Sequence, residues 1–538
     1  MCVPVLSRNS CVFAESVFDL PGIITRGKDV TQTESERPVA VIDIGSNSIR
    51  LVVYDGLNRV SFPVFNEKIE CGLGRDLDRT GCLHPDGVHL ARQSLHRFVA
   101  LLNAMGVVQV VAVATAAIRE ANDGPAFAKE LESFCDFPIQ ILSGKEEARI
   151  SANGVLSAIP DAHGFVGDLG GGSVELVSIE GGRIQDLSTL PLGPIRMARE
   201  IVIDADAALE VVNRNIEGLD WISDGEGKAF YAVGGAWRAF SSAHMAHIDY
   251  PLNVSHHYEI ATPDAIKFAR HIESLSPEDI AALPGPTKKR SATLAYASVL
   301  LERLLTISNV DKVVFSAYGL REGCLFEQQS EPSQEEDPLI EICRRVSKLT
   351  GRLTADGEAL FHWISPAFKE DASYRQRLRR AACFLADLEW SEHPDYRVEH
   401  ALLRILRYPL VGVDHAGRAF MALAVASRHA KVSSKLMSRF VEPLLDRQEI
   451  DCARAIGLAM RLGYTFSGGV VSLLEQTSLS RDGDRLTLCM PDHADVLVGD
   501  VVHRRLKSLA QALGCKPDVT YAASCDEETK APWSNLVG

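Results

Sequence analysis

AVIDIGSNSIRLVVYDGLNRV (40–60) is matched further along the same chain by GFVGDLGGGSVELVSIEGGRI (164–184). Each copy has an apolar strand, then Asp-x-Gly-x-x-Ser, then a second apolar strand and a turn. Asp43, Gly45 and Ser48 align with Asp168, Gly170 and Ser173. Two apolar strands around so short a polar turn read as a β-hairpin. One such hairpin is unremarkable; two, 125 residues apart, indicate a duplicated unit that begins each time with a hairpin.

Working outward, a helix is predicted near 86–105, a β-branched strand at 107–115 and a further strand at 138–142. A helix over 143–159 opens on a capping box, Ser143 with Glu146 three residues on. The second copy continues through the strand, glycine turn and helix of AFYAVGGAWRAF (229–240), a helix near 290–307 and the strand KVVFSA (312–317). Strands alternating with helices predict an α/β fold. The doubled hairpin is the layout of the actin-like, ribonuclease-H-like superfold, which clasps phosphates between two halves. The expected units are 37–160 and 161–326. A polar, acidic linker follows at 327–338, then a helical domain over 339–480 and a small α/β appendage over 481–525. Residues 1–36 read as a disordered extension.

Net charge is -15, which argues against a general nucleic-acid binder but leaves room for a local basic channel. The twelve cysteines form no CxxC pair, so zinc knuckles and a disulfide scaffold are not expected and a reducing, cytoplasmic setting fits. No apolar run reaches the roughly 18–20 residues that span a bilayer, and no secretory leader is legible. GxxxxGK[ST] is absent, which excludes a P-loop NTPase.

A bound phosphate needs convergent N–H donors and close backbone approach, and glycine-rich turns provide both. Gly45-Ser46-Asn47-Ser48 and Gly170-Gly171-Gly172-Ser173 are such turns, with hydroxyls added. The aspartates that open them, Asp43 and Asp168, sit at strand ends where each can hold Mg²⁺ directly or through water. The plainer alternative is a pair of tight hairpins with Asp as a turn residue. Glu175 shares a strand face with Ser173 and is a second acidic candidate for metal or water positioning.

IDIGSNSIRLVV, ATAAIREAND, ILSGKEEARISANGV, GDLGGGSVELV, LPLGPIRM, AVGGAWRA and GLREGCLF follow one another in an order that resembles the exopolyphosphatase / guanosine pentaphosphate phosphatase family. The resemblance covers about 38–326 closely and the helical region more loosely. It implies two actin-like domains, a helical HD-like domain, dependence on Mg²⁺, and release of terminal phosphate from polyphosphate or from pppGpp. It also implies that Glu147 is the catalytic base, Arg119 a phosphate ligand and Asp168 the Mg²⁺ ligand. Glu146 is occupied by capping, whereas Glu147 turns one position further and can face a cleft; a solvated first-turn carboxylate is the alternative.

Where an HD domain would carry its His-Asp dipeptide, the chain reads Ala386-Asp387, so no metal site is expected there. Arg375, Arg377, Arg379, Arg380, Arg404 and Arg407 form a basic concentration that either guides a polyanion or lies on ordinary solvated helix faces. A long helical domain suits a chain substrate, so exopolyphosphatase is the expected activity, with pppGpp phosphohydrolase and a non-catalytic sensor as alternatives. Neither nucleic acid nor membrane is an expected partner, and a homodimer stays open.

Overall fold

The computed structural model describes residues 37–197, 205–350, 357–369, 371–491 and 497–522. The extension expected at 1–36 lies outside them.

The first sheet is built from β1 (Val39–Ile44), β2 (Ser48–Tyr54), β3 (Pro63–Glu70), β4 (Gln109–Ala114) and β5 (Ile139–Ile141), in the order β3-β2-β1-β4-β5. The second contains β6 (Gly164–Leu169), β7 (Val174–Glu180), β8 (Arg183–Leu190), β9 (Ala229–Gly234), β10 (Tyr258–Ala261) and β11 (Lys312–Ser316). Its order is β10-β11-β9-β6-β7-β8. Without the edge strand β10 the two orders are the same. So is the sense of pairing: two antiparallel hairpin contacts, then two parallel ones.

The registers agree residue for residue. Asp43 pairs with Arg50 and Ile44 with Ile49 in the first hairpin; Asp168 pairs with Glu175 and Leu169 with Val174 in the second. The turns close with the same bond, Gly45 N–H to Ser48 O and Gly170 N–H to Ser173 O, both 3.0 Å. The duplication inferred from Asp-x-Gly-x-x-Ser is therefore a duplication of hydrogen-bonded structure. β1 and β6 are central strands covered on both faces, which is why they are nearly continuous in apolar residues.

Helices of the two halves include α1 (Pro85–Ala104), α2 (Ala116–Glu120), α3 (Gly144–Ala158), α4 (Gly235–His247) and α5 (Leu320–Glu327). Ser143 caps α3: its hydroxyl accepts from Glu146 N–H at 3.3 Å, and Glu146 accepts from Ser143 N–H at 2.8 Å. With Glu146 engaged in the cap, Glu147 is the carboxylate that points inward.

The segment expected as a linker is ordered. Residues Glu331–Glu335 form a helical turn, Gln334 Nε2 donates to Phe326 O at 2.9 Å, and Arg59 reaches across to Glu336 O at 2.9 Å. Its polar composition satisfies backbone carbonyls rather than solvent alone. The helical region that follows includes α6 (Pro338–Thr350), α7 (Ser373–Phe384), α8 (Arg397–Arg407), α9 (His415–His429) and α10 (Arg447–Ser467). Its apolar faces share one buried cluster with Ala152 and Val155 of α3 and Tyr231 of β9. Gly412 N–H also bonds Ala158 O at 2.7 Å, at the C-terminal end of α3. The appendage is a three-stranded sheet, β12 (Ser478–Asp482), β13 (Arg485–Pro491) and β14 (Lys516–Ala522), with α11 (Asp500–Ala512) between the last two. Its first strand starts at Ser478, ahead of the expected boundary at 481. No helix among the described residues is long and apolar enough to cross a membrane.

Candidate active site

The two duplicated turns face each other across a cleft of about 170 Å³. Their approach accounts for Gly172. None of Gly45, Gly170, Gly171 and Gly172 has a positive φ, so left-handed backbone is not the reason for them. A Cβ on Gly172 would lie 3.1 Å from Ser46 Oγ, and one on Gly171 would lie 2.9 Å from Ile195 Cδ1. Close packing against the first half at Gly172, and against Ile195 of the second half's own loop at Gly171, is what excludes side chains from those two positions.

Neighbouring loops fix the direction of the turn amides. Ser46 O accepts from Gly74 N–H and Asn47 O from Cys71 and Gly72 N–H, each at 2.9 Å. Because the peptide is planar and trans, the N–H groups of Asn47 and Ser48 point the opposite way. Gly171 O likewise accepts from Ile195 N–H at 2.9 Å, which turns Gly172 N–H away from that loop. Oriented amides of this kind are anion-binding elements.

Of the sequence-predicted residues, Asp43, Gly45, Ser46, Asn47, Glu147, Asp168, Gly170, Gly171, Gly172, Ser173 and Glu175 all line the cleft. Ser48 opens β2 immediately behind the first turn. Arg119 reaches in from α2. Its Nη1 donates to Glu147 Oε2 at 2.8 Å and to Leu142 O at 2.9 Å.

The carboxylates lie close enough to repel one another. Burial, opposed by Arg119, pushes Glu147 up to about 7, and Asp168 and Asp43 add to the rise. Glu175 is 2% exposed and is pushed well above the usual carboxylate range by burial and then by Glu147 and Asp168. Its Oε1 is buried without a hydrogen-bond partner. Burial also raises Asp168, although the Ser151 hydroxyl donates to its Oδ2 and works in the other direction. Clustered carboxylates with an orphaned oxygen form an all-oxygen donor set that suits a hard cation such as Mg²⁺. Asp168 and Glu175 fit that role. Asp43, expected as a metal ligand, has a different partner: Arg321 Nη1 donates to its Oδ2 at 3.0 Å, so a guanidinium already balances its charge.

Sequence reading missed Arg321, Arg238 and Ser151. Arg321 and Arg238 line the cleft from GLREG and GGAWRA, segments whose glycines drew notice and whose arginines did not. Gly234 is the glycine that backbone geometry demands: its φ is 112° and a Cβ would meet Leu169 O at 2.4 Å. It lets α4 start at the cleft, where the helix N-terminus favours an anion. Ser151 lies one helical turn beyond Glu147 on α3, a spacing that could have flagged it. The halves are joined at the rim by Arg196, which pairs with Asp78 at 3.2 Å and with Glu120.

The arginine concentration of the helical region is largely consumed locally. Arg377 pairs with Asp337 at 2.6 Å, Arg380 with Glu358 at 2.9 Å, Arg375 with Asp371 at 3.6 Å, Arg379 with Asp371 and Arg404 with Glu389. Arg379 is 2% exposed, so it guides nothing from solvent. Asp387 faces Arg428 at 3.1 Å, and that guanidinium lies 3.9 Å over the Tyr464 ring. An arginine thus stands against the aspartate of the altered dipeptide. Among the described residues, Glu389, Glu392 and His400 come together within metal-ligating range in this region, but Glu389 is held by Arg404 and His400 lies 3.3 Å from Glu392.

Residues 52–331, just over half of the chain, match the model of the Ppx/GppA phosphatase family, and residues 343–520 match the model described as exopolyphosphatase, C-terminal. A guanosine-5'-triphosphate,3'-diphosphate pyrophosphatase of Vibrio parahaemolyticus is 24% identical over 492 residues, covering 85% of this chain and 93% of that protein. Among solved structures, the Ppx/GppA family member of Aquifex aeolicus is 24% identical. It covers 55% of this chain and 99% of its own, with a TM-score of 0.47. An exopolyphosphatase from Cytophaga hutchinsonii is 21% identical over 53% of this chain and 96% of its own, with a TM-score of 0.49.

Proposed function

We propose that this chain, which belongs to the Ppx/GppA phosphatase family, hydrolyses the terminal phosphoanhydride of inorganic polyphosphate. The observation that carries the choice of substrate is a channel of about 230 Å³ that shares Arg238, Ala317 and Arg321 with the cleft. It adds Arg50 and Arg59 and is bounded on the far side by Pro409 and Val411 of the helical region. Arg59 is buried with its donors on Glu336 O and Ser157 O, and Arg321 is paired with Asp43, so Arg50 and Arg238, against the single carboxylate of Glu322, are the cations that suit an anion continuing past its terminal phosphate.

In this reading the end phosphate sits between the duplicated turns. Their amides and hydroxyls, with Arg119, Arg238 and Arg321, take up charge that develops on its oxygens. Glu147 removes a proton from water as the oxygen attacks phosphorus in line. The bond from phosphorus to the bridging oxygen breaks, and the shortened chain leaves carrying that oxygen. A base held near 7 is matched to that task at neutral pH. Mg²⁺ is the proposed cofactor; held by Asp168 and Glu175, it would supply positive charge against the phosphate oxygens. The nine cysteines of the described residues are free thiols, in keeping with a cytoplasmic setting.

The second reading is pppGpp 5'-phosphohydrolysis, favoured by the Vibrio relative, whose name gives a guanosine substrate. Phosphate release from long-chain polyphosphate and from pppGpp, measured side by side with and without Mg²⁺, separates the two. The expected result is Mg²⁺-dependent release with kcat/KM at least about tenfold higher on polyphosphate, a difference of about 1.4 kcal/mol. Equal values, or a preference for pppGpp, would overturn the polyphosphate assignment; no release from either substrate would point to a binding protein.

A further inference from the structure

We infer that Ser151 is a positioning residue that presents Asp168 to a divalent cation through one oxygen only, and so biases the site toward Mg²⁺ over Ca²⁺. The inference rests on the reading of Asp168 as a metal ligand.

Ser151 lies on α3, four residues after Glu147, and is 1% exposed. Its hydroxyl donates to Asp168 Oδ2. A serine hydroxyl has one proton, and that proton is committed here. Oδ2 is also hemmed in from outside: a Cβ on Gly319 would lie 3.3 Å from it and 3.3 Å from Ser151 Oγ. A side chain in place of the glycine of GLREG would crowd this bond. Asp168 lines the cleft, and with Oδ2 engaged by the Ser151 hydroxyl, Oδ1 is the oxygen left for an ion.

The helix links two roles. α3 carries Glu147 and Ser151 on one face, one turn apart, so the carboxylate that would accept a proton and the hydroxyl that sets the metal ligand move as one body. Ser151 also packs where α3 meets the Gly319 loop, which leads directly into Arg321.

The consequence for metal choice follows from coordination chemistry. Mg²⁺ requires near-octahedral geometry, keeps several waters and takes carboxylates through single oxygens, whereas Ca²⁺ accepts more oxygens, often both from one carboxylate. An aspartate with one oxygen tied to a hydroxyl can offer the first arrangement more readily than the second. Removing the hydroxyl frees Oδ2 and lets the carboxylate turn both oxygens to an ion. Loss of an outer partner of a metal ligand typically changes metal affinity about 10–100-fold.

The test uses the full chain without substrate. Mn²⁺ binding is followed by electron paramagnetic resonance, with Mg²⁺ and Ca²⁺ as separate competitors, on the wild type, Ser151→Ala and Asp168→Asn. Ser151→Ala places a strong helix former in a buried helical position, and circular dichroism checks its fold. We expect the ratio of the Ca²⁺ to the Mg²⁺ dissociation constant to fall about tenfold in Ser151→Ala. Mn²⁺ binding is expected to weaken sharply in Asp168→Asn. An unchanged ratio in folded Ser151→Ala overturns the inference, as does Mn²⁺ binding that ignores Asp168→Asn or is absent from the wild type. Phosphate release by the wild type is scored separately. A shifted ratio with no hydrolysis would sink the enzymatic reading and leave the positioning role standing; hydrolysis with an unshifted ratio would do the reverse.

Discussion

Arg119 Nη1 and Glu147 Oε2 are 2.8 Å apart in a cleft where Glu147 is only 8% exposed. The guanidinium restrains a carboxylate that burial would otherwise push higher still. The same arginine is the proposed phosphate ligand. Substrate oxygens that draw on Arg119 would loosen its hold on Glu147 and make that carboxylate a stronger base as the site fills.

The first prediction is a pH dependence. Glu147 must be ionised to accept a proton, so kcat/KM should rise with pH and level off above about 7. An acid limb centred near the ordinary carboxylate value of 4.5 would contradict this assignment. The sign for stability is opposite. A carboxyl raised by folding contributes its stability below its unfolded value and loses it as pH rises through about 7. Glu147→Gln, which cannot ionise, should therefore raise Tm over the wild type at alkaline pH and change it little in acid, as scanning calorimetry can show.

Arg119→Met removes the group that holds Glu147 down. The acid limb should move to higher pH and the plateau rate should drop by roughly 10²-fold. A slower enzyme whose limb stays in place would mean that Arg119 serves the phosphate alone.

The packing of the second turn is tested at Gly193, where a Cβ would lie 2.3 Å from Gly171 O and from Gly172 C. Gly193→Ala must displace the second turn and should lose most activity while retaining helical and sheet content by circular dichroism. Gly499→Ala meets nothing within 4 Å and serves as the neutral comparison. Equal activity in the two variants would show that the turn spacing does not matter.

Much of this was legible because a β-hairpin is a local structure. Asp-x-Gly-x-x-Ser fixed both turns, and the matched registers Asp43–Arg50 and Asp168–Glu175 follow from the same short connection. The flanking strands β3 and β8 were not legible. PVFNEKIE and RIQDLSTL are half-exposed edge strands without the apolar run that marks a buried strand. Asp43 reads in sequence as a metal ligand because it opens a turn at a strand end; its ion pair with Arg321, 278 residues away, is not legible, because no local pattern reports a contact of that separation. In sequence the helical arginines read as either a polyanion guide or ordinary helix faces, for the converse reason. Counting cations in sequence ignores the Asp371, Asp337 and Glu358 carboxylates that fold against them.

Those displaced charges move the expected polyanion path to the channel beside Arg50, whose Nε donates to Asn66 at 2.9 Å. Arg50→Met should raise KM for long polyphosphate more than for short chains, and the difference should shrink as salt screens the channel. An equal effect on all chain lengths would remove the channel from the account.

The most direct test of the central claim is Glu147→Gln, assayed for phosphate release and for polyphosphate binding on the same folded preparation. The account predicts a loss of turnover of about 10²–10⁴-fold with binding close to wild type, because only the proton acceptor is gone. A variant that keeps more than about half of the wild-type rate, far outside that range, would contradict Glu147 as the base and with it the proposed chemistry of the cleft.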